Sequence, residues 1–372
     1  MHCIRISTVC FITLSLALLL CSMPAQAWTY KTLHQFTRGT DGYWPNGGLV
    51  RDSATGNLFG VTDSGGDLDC DNSGYGCGVL FELTPKGKFS ILHTFLRGKD
   101  GAYPAGGLAE DDAGNLYGTT RLGGHDGEGT LFKVPPGGSL QVLHAFERGD
   151  DGGAPDTRLT WDPVSGTLYG TTSVTAFKVT ANGKYSVFHH FQNDAGGWYP
   201  LSLTLDSSGQ VYGVTNAGGE ARCRCGVIFK LSPKGVETVL HTFKSNKAGR
   251  PETPLVLRPD GNFDGAVQGV SYLKPGAAFS VTPKGTFSIL YNFGQRASNP
   301  WGDMVVDPAG TLYGVTRSFN SDVIFQISTD RQFQSLHTFG QGDEQTVTGG
   351  LISDDTGNLY GETGDSVYEL VK

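Results

Sequence analysis

The sequence predicts an all-β fold, a seven-bladed β-propeller of four-stranded antiparallel blades. Three observations carry this. Three short phrases recur seven times in fixed order. Their spacing is that of a propeller blade. The two chain ends carry complementary fragments of one further unit.

The first phrase is LHxF, at Leu33–Phe36, Leu92–Phe95, Leu143–Phe146, Phe188–Phe191, Leu240–Phe243, Leu290–Phe293 and Leu336–Phe339. From Phe36 to Phe339 there are six intervals, so the period is (339 − 36)/6, about 50 residues. The second phrase is GNLYGTT at 114–120, with variants at 56, 166, 209, 310 and 357 and a degraded copy, GNFDGAV, at 261–267. The third resembles VIFKLSPKG at 227–235.

Within one unit, Gly106–Asp112 reads as strand a, NLYGTT as strand b, TLFKVPP as strand c and SLQVLHAF as strand d. Aromatic and β-branched residues alternate at period two, and Gly, Pro, Asp and Asn mark the ends. Blades are expected near 46–95, 105–146, 156–191, 201–243, 252–293 and 301–339, with the last formed by 348–372 plus 28–36. The N-terminal strand thus completes the C-terminal blade, which leaves no open sheet edge between first and last blades.

Residues 1–27 read as a secretory signal peptide. Arg5 opens a short basic start, an apolar run follows from Val9, and Ala25-Gln26-Ala27 is a cleavage site before Trp28. A secreted or periplasmic location is expected. The run is short for a membrane span. One Arg leaves with the signal, so 28 − 1 = 27 basic and 36 acidic residues remain, a net of −9. That balance excludes a nucleic-acid binder, which needs a basic footprint. A monomer is expected, with a glycan or a protein as ligand.

Four cysteines remain after the signal: Cys70, Cys77, Cys223 and Cys225. An even count in a secreted chain predicts disulfides. Local pairs, Cys70–Cys77 and Cys223–Cys225, are expected, because Cys77 and Cys225 occupy equivalent slots of nearly opposite blades.

The phrases LHTF, DGAYPAGGL, GNLYGTT and GVIFKLSPKG resemble the tandem repeats of the bacterial GloVer family, whose members are labelled choice-of-anchor proteins. The resemblance covers essentially all of the mature chain. It implies an exported repeat protein and no particular reaction. The chain ends in a strand c at Lys372, so attachment through a C-terminal anchor is not expected.

Function should lie where the repeats differ. Six histidines fill the LHxF slot, which marks them as structural. The d–a and b–c connections share one face of a propeller. The d–a loops carry Tyr43, Trp44, Tyr103, Trp198, Tyr199 and Trp301 among Gly, Asp and Pro. Aromatic faces flanked by polar groups suit sugar rings, so these six are the ligand-binding candidates. Rings that merely staple neighbouring blades are the plainer account. Asp67, Asp69 and Asp71 alternate in the longest b–c loop and could wrap Ca²⁺; no other cofactor is evident. His125, Arg121, Asp126, Glu128 and Arg222 are candidates for acid–base chemistry. A lyase needs a base and a cation for the uronate carboxylate; a glycosidase needs paired carboxylates, for which Asp126, Glu128 and Asp303 are available. The expected function is an exported binding or scaffold module, with a carbohydrate-active enzyme as the alternative.

Overall fold

A computed structural model describes residues 28–71, 74–192, 194–220, 225–244, 249–269, 276–294, 299–318, 321–340 and 346–372. The signal segment, Arg222 and Cys223 lie outside these residues. Among the described residues every regular element is a β-strand.

The strands form seven antiparallel sheets, each following the chain from an innermost to an outermost strand. Blade 2 shows the pattern: Ala102–Glu110, Leu116–Leu122, Thr130–Val134 and Gln141–Ala145 pair in sequence order. Blade 7 is shared between the chain ends. Thr29–Gln35 pairs with Ser366–Val371, from Thr29 opposite Val371 to Gln35 opposite Ser366. The ring is closed as the sequence predicts.

Two repeated contacts explain the phrases. The Phe of LHxF is buried in every copy and packs on the strand-c aromatic of the next blade. Phe36 meets Phe81 at 5.5 Å, Phe146 meets Phe177 at 5.5 Å, and Phe339 meets Tyr368 at 5.7 Å. This ladder runs round all seven blade junctions. The strand-c ring in turn lies over the glycine of the NLYG phrase. A Cβ on Gly118 would stand 2.4 Å from Phe132 and one on Gly170 2.3 Å from Phe177. Only hydrogen fits there, which fixes the residue at that position.

The LHxF histidines are structural, as their repetition implies. His34, His144, His241 and His337 stack on Phe89, Tyr185, Phe287 and Tyr30 of an adjacent blade, at 3.9, 3.6, 3.9 and 4.4 Å. His93 and His144 also bond Asp100 and Asp151, at 2.9 and 2.7 Å. At the a–b turns an Asp accepts from the Tyr of the same phrase: Asp111 from Tyr117, Asp307 from Tyr313 and Asp354 from Tyr360, at 2.9, 3.1 and 3.1 Å.

Candidate functional site

The innermost strands carry a phrase that ends in the core residues Leu49, Leu108, Leu159, Leu203, Leu255, Met304 and Leu351. The residue just before each fills one slot of the repeat. In order these are Gly48, Gly107, Arg158, Ser202, Pro254, Asp303 and Gly350. Five are small or cyclic. The two charged exceptions stand on blades 3 and 6, nearly opposite on a seven-membered ring. Arg158 Nη1 donates to Asp303 Oδ2 at 2.7 Å, and Arg158 Nη2 donates to the Leu49 carbonyl at 3.2 Å. The ion pair therefore spans the channel at its waist.

Two cavities meet at that waist and share four lining residues, Arg158, Ser202, Pro254 and Asp303. One, of about 680 Å³, opens on the a–b side, with Trp161 and Leu203 on its wall. The other, of about 420 Å³, opens on the face of the d–a and b–c loops. All seven blades contribute to this second mouth. Trp44, Arg121, Asp156, Glu252, Trp301 and Arg317 give it its chemical character.

Arg121, Arg317 and Glu252 are each held by a neighbour. Arg121 donates to Asp63 of blade 1. Arg317 Nε donates to the Val347 carbonyl at 2.6 Å, and its guanidinium lies 3.7 Å from the centre of the Trp301 ring. Burial pulls Arg317 down to about 10, against Asp322 and Glu252, so it stays a cation at neutral pH. Burial raises the Glu252 carboxyl, opposed by the Asn216 amide. Trp301 Nε1 donates to the Thr348 carbonyl at 2.9 Å and ties blade 6 to blade 7.

Behind the wall sits Glu362, fully buried at the end of its strand b. Its Oε2 accepts from the Gly48 amide at 2.9 Å, while Oε1 has no hydrogen-bond partner. Burial pushes its pKa up to about 8, against the Gly48 N–H and Arg158. The equivalent slots hold Val61, Thr119, Thr171, Val214, Ala266 and Val315. Glu362 went unnoticed in the sequence, yet that slot comparison is the signal that exposes it.

Of the six aromatic candidates, Trp44 and Trp301 line the mouth; Tyr43, Tyr103, Trp198 and Tyr199 are not among its lining residues. Trp198 and Tyr199 pack together at 4.3 Å, and Arg38 lies 4.9 Å from the Tyr43 ring centre. Trp44, Tyr103 and Tyr199, with Ala154, share an unusual backbone. Their φ angles are 58°, 55°, 53° and 43°, and each precedes a proline. Each donates its N–H to the b–c connection of the preceding blade: to Gly364, Cys77, Ser173 and Glu128 respectively, at 3.2, 2.9, 3.3 and 2.7 Å. Blade stapling at these positions is thus done by the backbone.

Of the acid–base candidates among the described residues, Arg121 and Asp303 reach the mouth. His125 is 87% exposed and bonds the adjacent Asp126 at 2.5 Å. Glu128 is held by Arg148 at the junction of blades 2 and 3. Arg222 lies outside the described residues. Asp67, Asp69 and Asp71 do not converge as a ligand set. Asp67 caps the Asp69 amide at 3.0 Å, while Asp71 accepts from Tyr103 and pairs with Arg97 at 3.8 Å. Among the described residues the metal-type cluster is Cys70, Asp71 and Cys77, and its sulfurs form a disulfide with Cα atoms 6.1 Å apart. A bonded pair offers no thiolate, so these residues do not fit a metal ion. Cys225 is also disulfide-bonded.

The profile described as the Gloeobacter/Verrucomicrobia repeat matches residues 20–176 and 173–368. The chain belongs to this repeat family. No curated protein matches it. Among solved structures, this member of the family resembles a virginiamycin B lyase from Staphylococcus aureus, at 13% identity and a TM-score of 0.67. The alignment covers 93% of this chain and 99% of that one. It also resembles an extracellular domain from B. thetaiotaomicron, at 16% identity and a TM-score of 0.60, over 93% of this chain and 42% of that one. At such identities the likeness shows the propeller fold. Among the described residues no helix is long and apolar enough to cross a membrane.

Proposed function

We propose that this Gloeobacter/Verrucomicrobia-repeat propeller is an exported binding module that takes a carbohydrate into the mouth ringed by Trp44 and Trp301. The carrying observation is the residue set of that recess. Two indoles stand beside three arginines and three carboxyls, contributed from all round the ring. Indole faces receive the C–H faces of a sugar, and fixed charged groups serve its hydroxyls. The Cys70–Cys77 disulfide suits an oxidising compartment, in keeping with export and signal cleavage before Trp28. In a glycan-binding assay, Trp44→Ala is expected to weaken binding at least ten-fold, about 1.4 kcal/mol. Its unfolding free energy should stay within about 1 kcal/mol of wild type, because the residue is 37% exposed. Wild-type protein that bound no glycan would end this reading.

Glycoside hydrolysis at the same mouth is the second reading. Its support is a carboxyl raised by burial, Glu252, in a recess that also holds Asp156 and Asp303. Among the described residues no histidine lines the mouth, so an imidazole-based lyase mechanism has no support there. Reducing-sugar release that disappears in Glu252→Gln, with binding retained, would favour hydrolysis.

A further inference from the structure

We infer that the mouth receives a glycan end-on, holding the last one or two sugar rings of a chain in a blind pit. This rests on the carbohydrate reading above and adds what part of the glycan is read.

The floor is the first ground. The Arg158–Asp303 pair spans the channel at 2.7 Å, and Ser202 and Pro254 complete the waist beneath it. The ligand cannot thread through the ring while that bridge stands. The wall is the second ground. The lining takes residues from every blade, among them Asn46, Gly106, Thr157, Leu201, Pro254 and Gly349. At this depth no blade is absent from the circle. A segment inside a polymer must enter and leave sideways, which needs a trough open at two ends. A closed circle with a floor admits a chain end.

Size and chemistry agree. A recess of about 420 Å³ has space for one or two sugar rings. Arg158 and Asp303 stand at the deepest point, one donating and one accepting. A terminal sugar carries a free hydroxyl where an internal one carries the next glycosidic bond. Groups at the bottom of the pit are therefore placed to hydrogen-bond the hydroxyl that marks the chain end. A capped chain would desolvate this ion pair without offering it the hydroxyl's hydrogen bonds, which costs affinity.

The test is a glycan array printed through the reducing end, with free oligosaccharides as competitors, run on wild type and Trp44→Ala. Bound glycans should share a terminal mono- or disaccharide whatever lies behind it. One further sugar on that end should reduce binding at least ten-fold, and the signal should fall in Trp44→Ala. Hits that share an internal sequence regardless of their ends, yet still weaken in Trp44→Ala, would overturn end-on recognition and leave the mouth as the glycan site. No bound glycan, or hits indifferent to Trp44→Ala, would remove the carbohydrate reading and this inference with it.

Discussion

Trp44, Tyr103, Ala154 and Tyr199 occupy left-handed backbone immediately before proline. A side chain there costs on the order of 1 kcal/mol or more. The repeated N–H bond to the preceding blade holds the strain in place. Glycine adopts such angles freely, so Ala154→Gly should raise the unfolding free energy by up to about 1 kcal/mol in urea titration. A loss would mean that the φ of 43° is not strained. Glu362 sets a second test. Its pKa is raised from 4.5 to about 8 by burial. The unfolded chain therefore ionises it first. Its contribution to stability is whole below about 4.5 and is lost as pH rises through about 8. Glu362→Gln keeps an acceptor for Gly48 and cannot ionise. The variant should lose less stability than wild type between pH 5 and 8. Parallel pH profiles for the two proteins would show that Glu362 does not titrate in that window.

At the scale of the element, strands, blade order and ring closure were legible because the repeat states them seven times. The Phe ladder and the glycine beneath each strand-c ring need identical residues at every junction, so packing appears in the sequence as repetition. The mouth was only half legible. Trp44 and Trp301 stood out as loop aromatics, and Arg121 as a cation. Arg158, Glu252 and Arg317 were passed over, because they sit within or beside strands whose period reads as scaffold. Glu362 and Tyr368 replace residues that are apolar or Thr, and Phe, in the other six blades; aligning the repeats slot by slot reveals both. Chain separation hid the Arg158–Asp303 contact, since the partners stand 145 positions apart. The closing strand offers an element-scale prediction. Removing residues 365–372 deletes the partner of Thr29–Gln35 and of Leu359–Glu362 together. Two unpaired edges result, and the truncated protein should aggregate or melt far below wild type. A truncated protein that melts like wild type would show that blade 7 does not depend on this pairing.

For the whole molecule, the decisive feature is that a ring held by neighbour-to-neighbour contacts also carries a tie across its centre. The Phe ladder joins each blade only to the next. Arg158 instead reaches from blade 3 to Asp303 on blade 6 and to the Leu49 carbonyl on blade 1. Gly48, Gly107 and Gly350 fill the same slot on three other blades and bring no side chain to the centre. A Cβ on Gly107 would lie 2.0 Å from the Gly47 carbonyl oxygen and one on Gly350 2.0 Å from the Asp303 amide nitrogen, so glycine there lets neighbouring strands approach. The pair is partly solvated, with side chains 27% and 20% exposed, so its net worth is below that of a dry ion pair. Removing one partner leaves the other charge at the waist without its mate; removing both does not. A double-mutant cycle on Arg158→Ala and Asp303→Ala should therefore return a coupling of about 1–2 kcal/mol, with the double variant less destabilised than the two single losses added together. The coupling should shrink only modestly in high salt, since the groups are recessed. Additive single losses would mean that the bridge does not join the two sides of the ring, and the pit would then lack its floor.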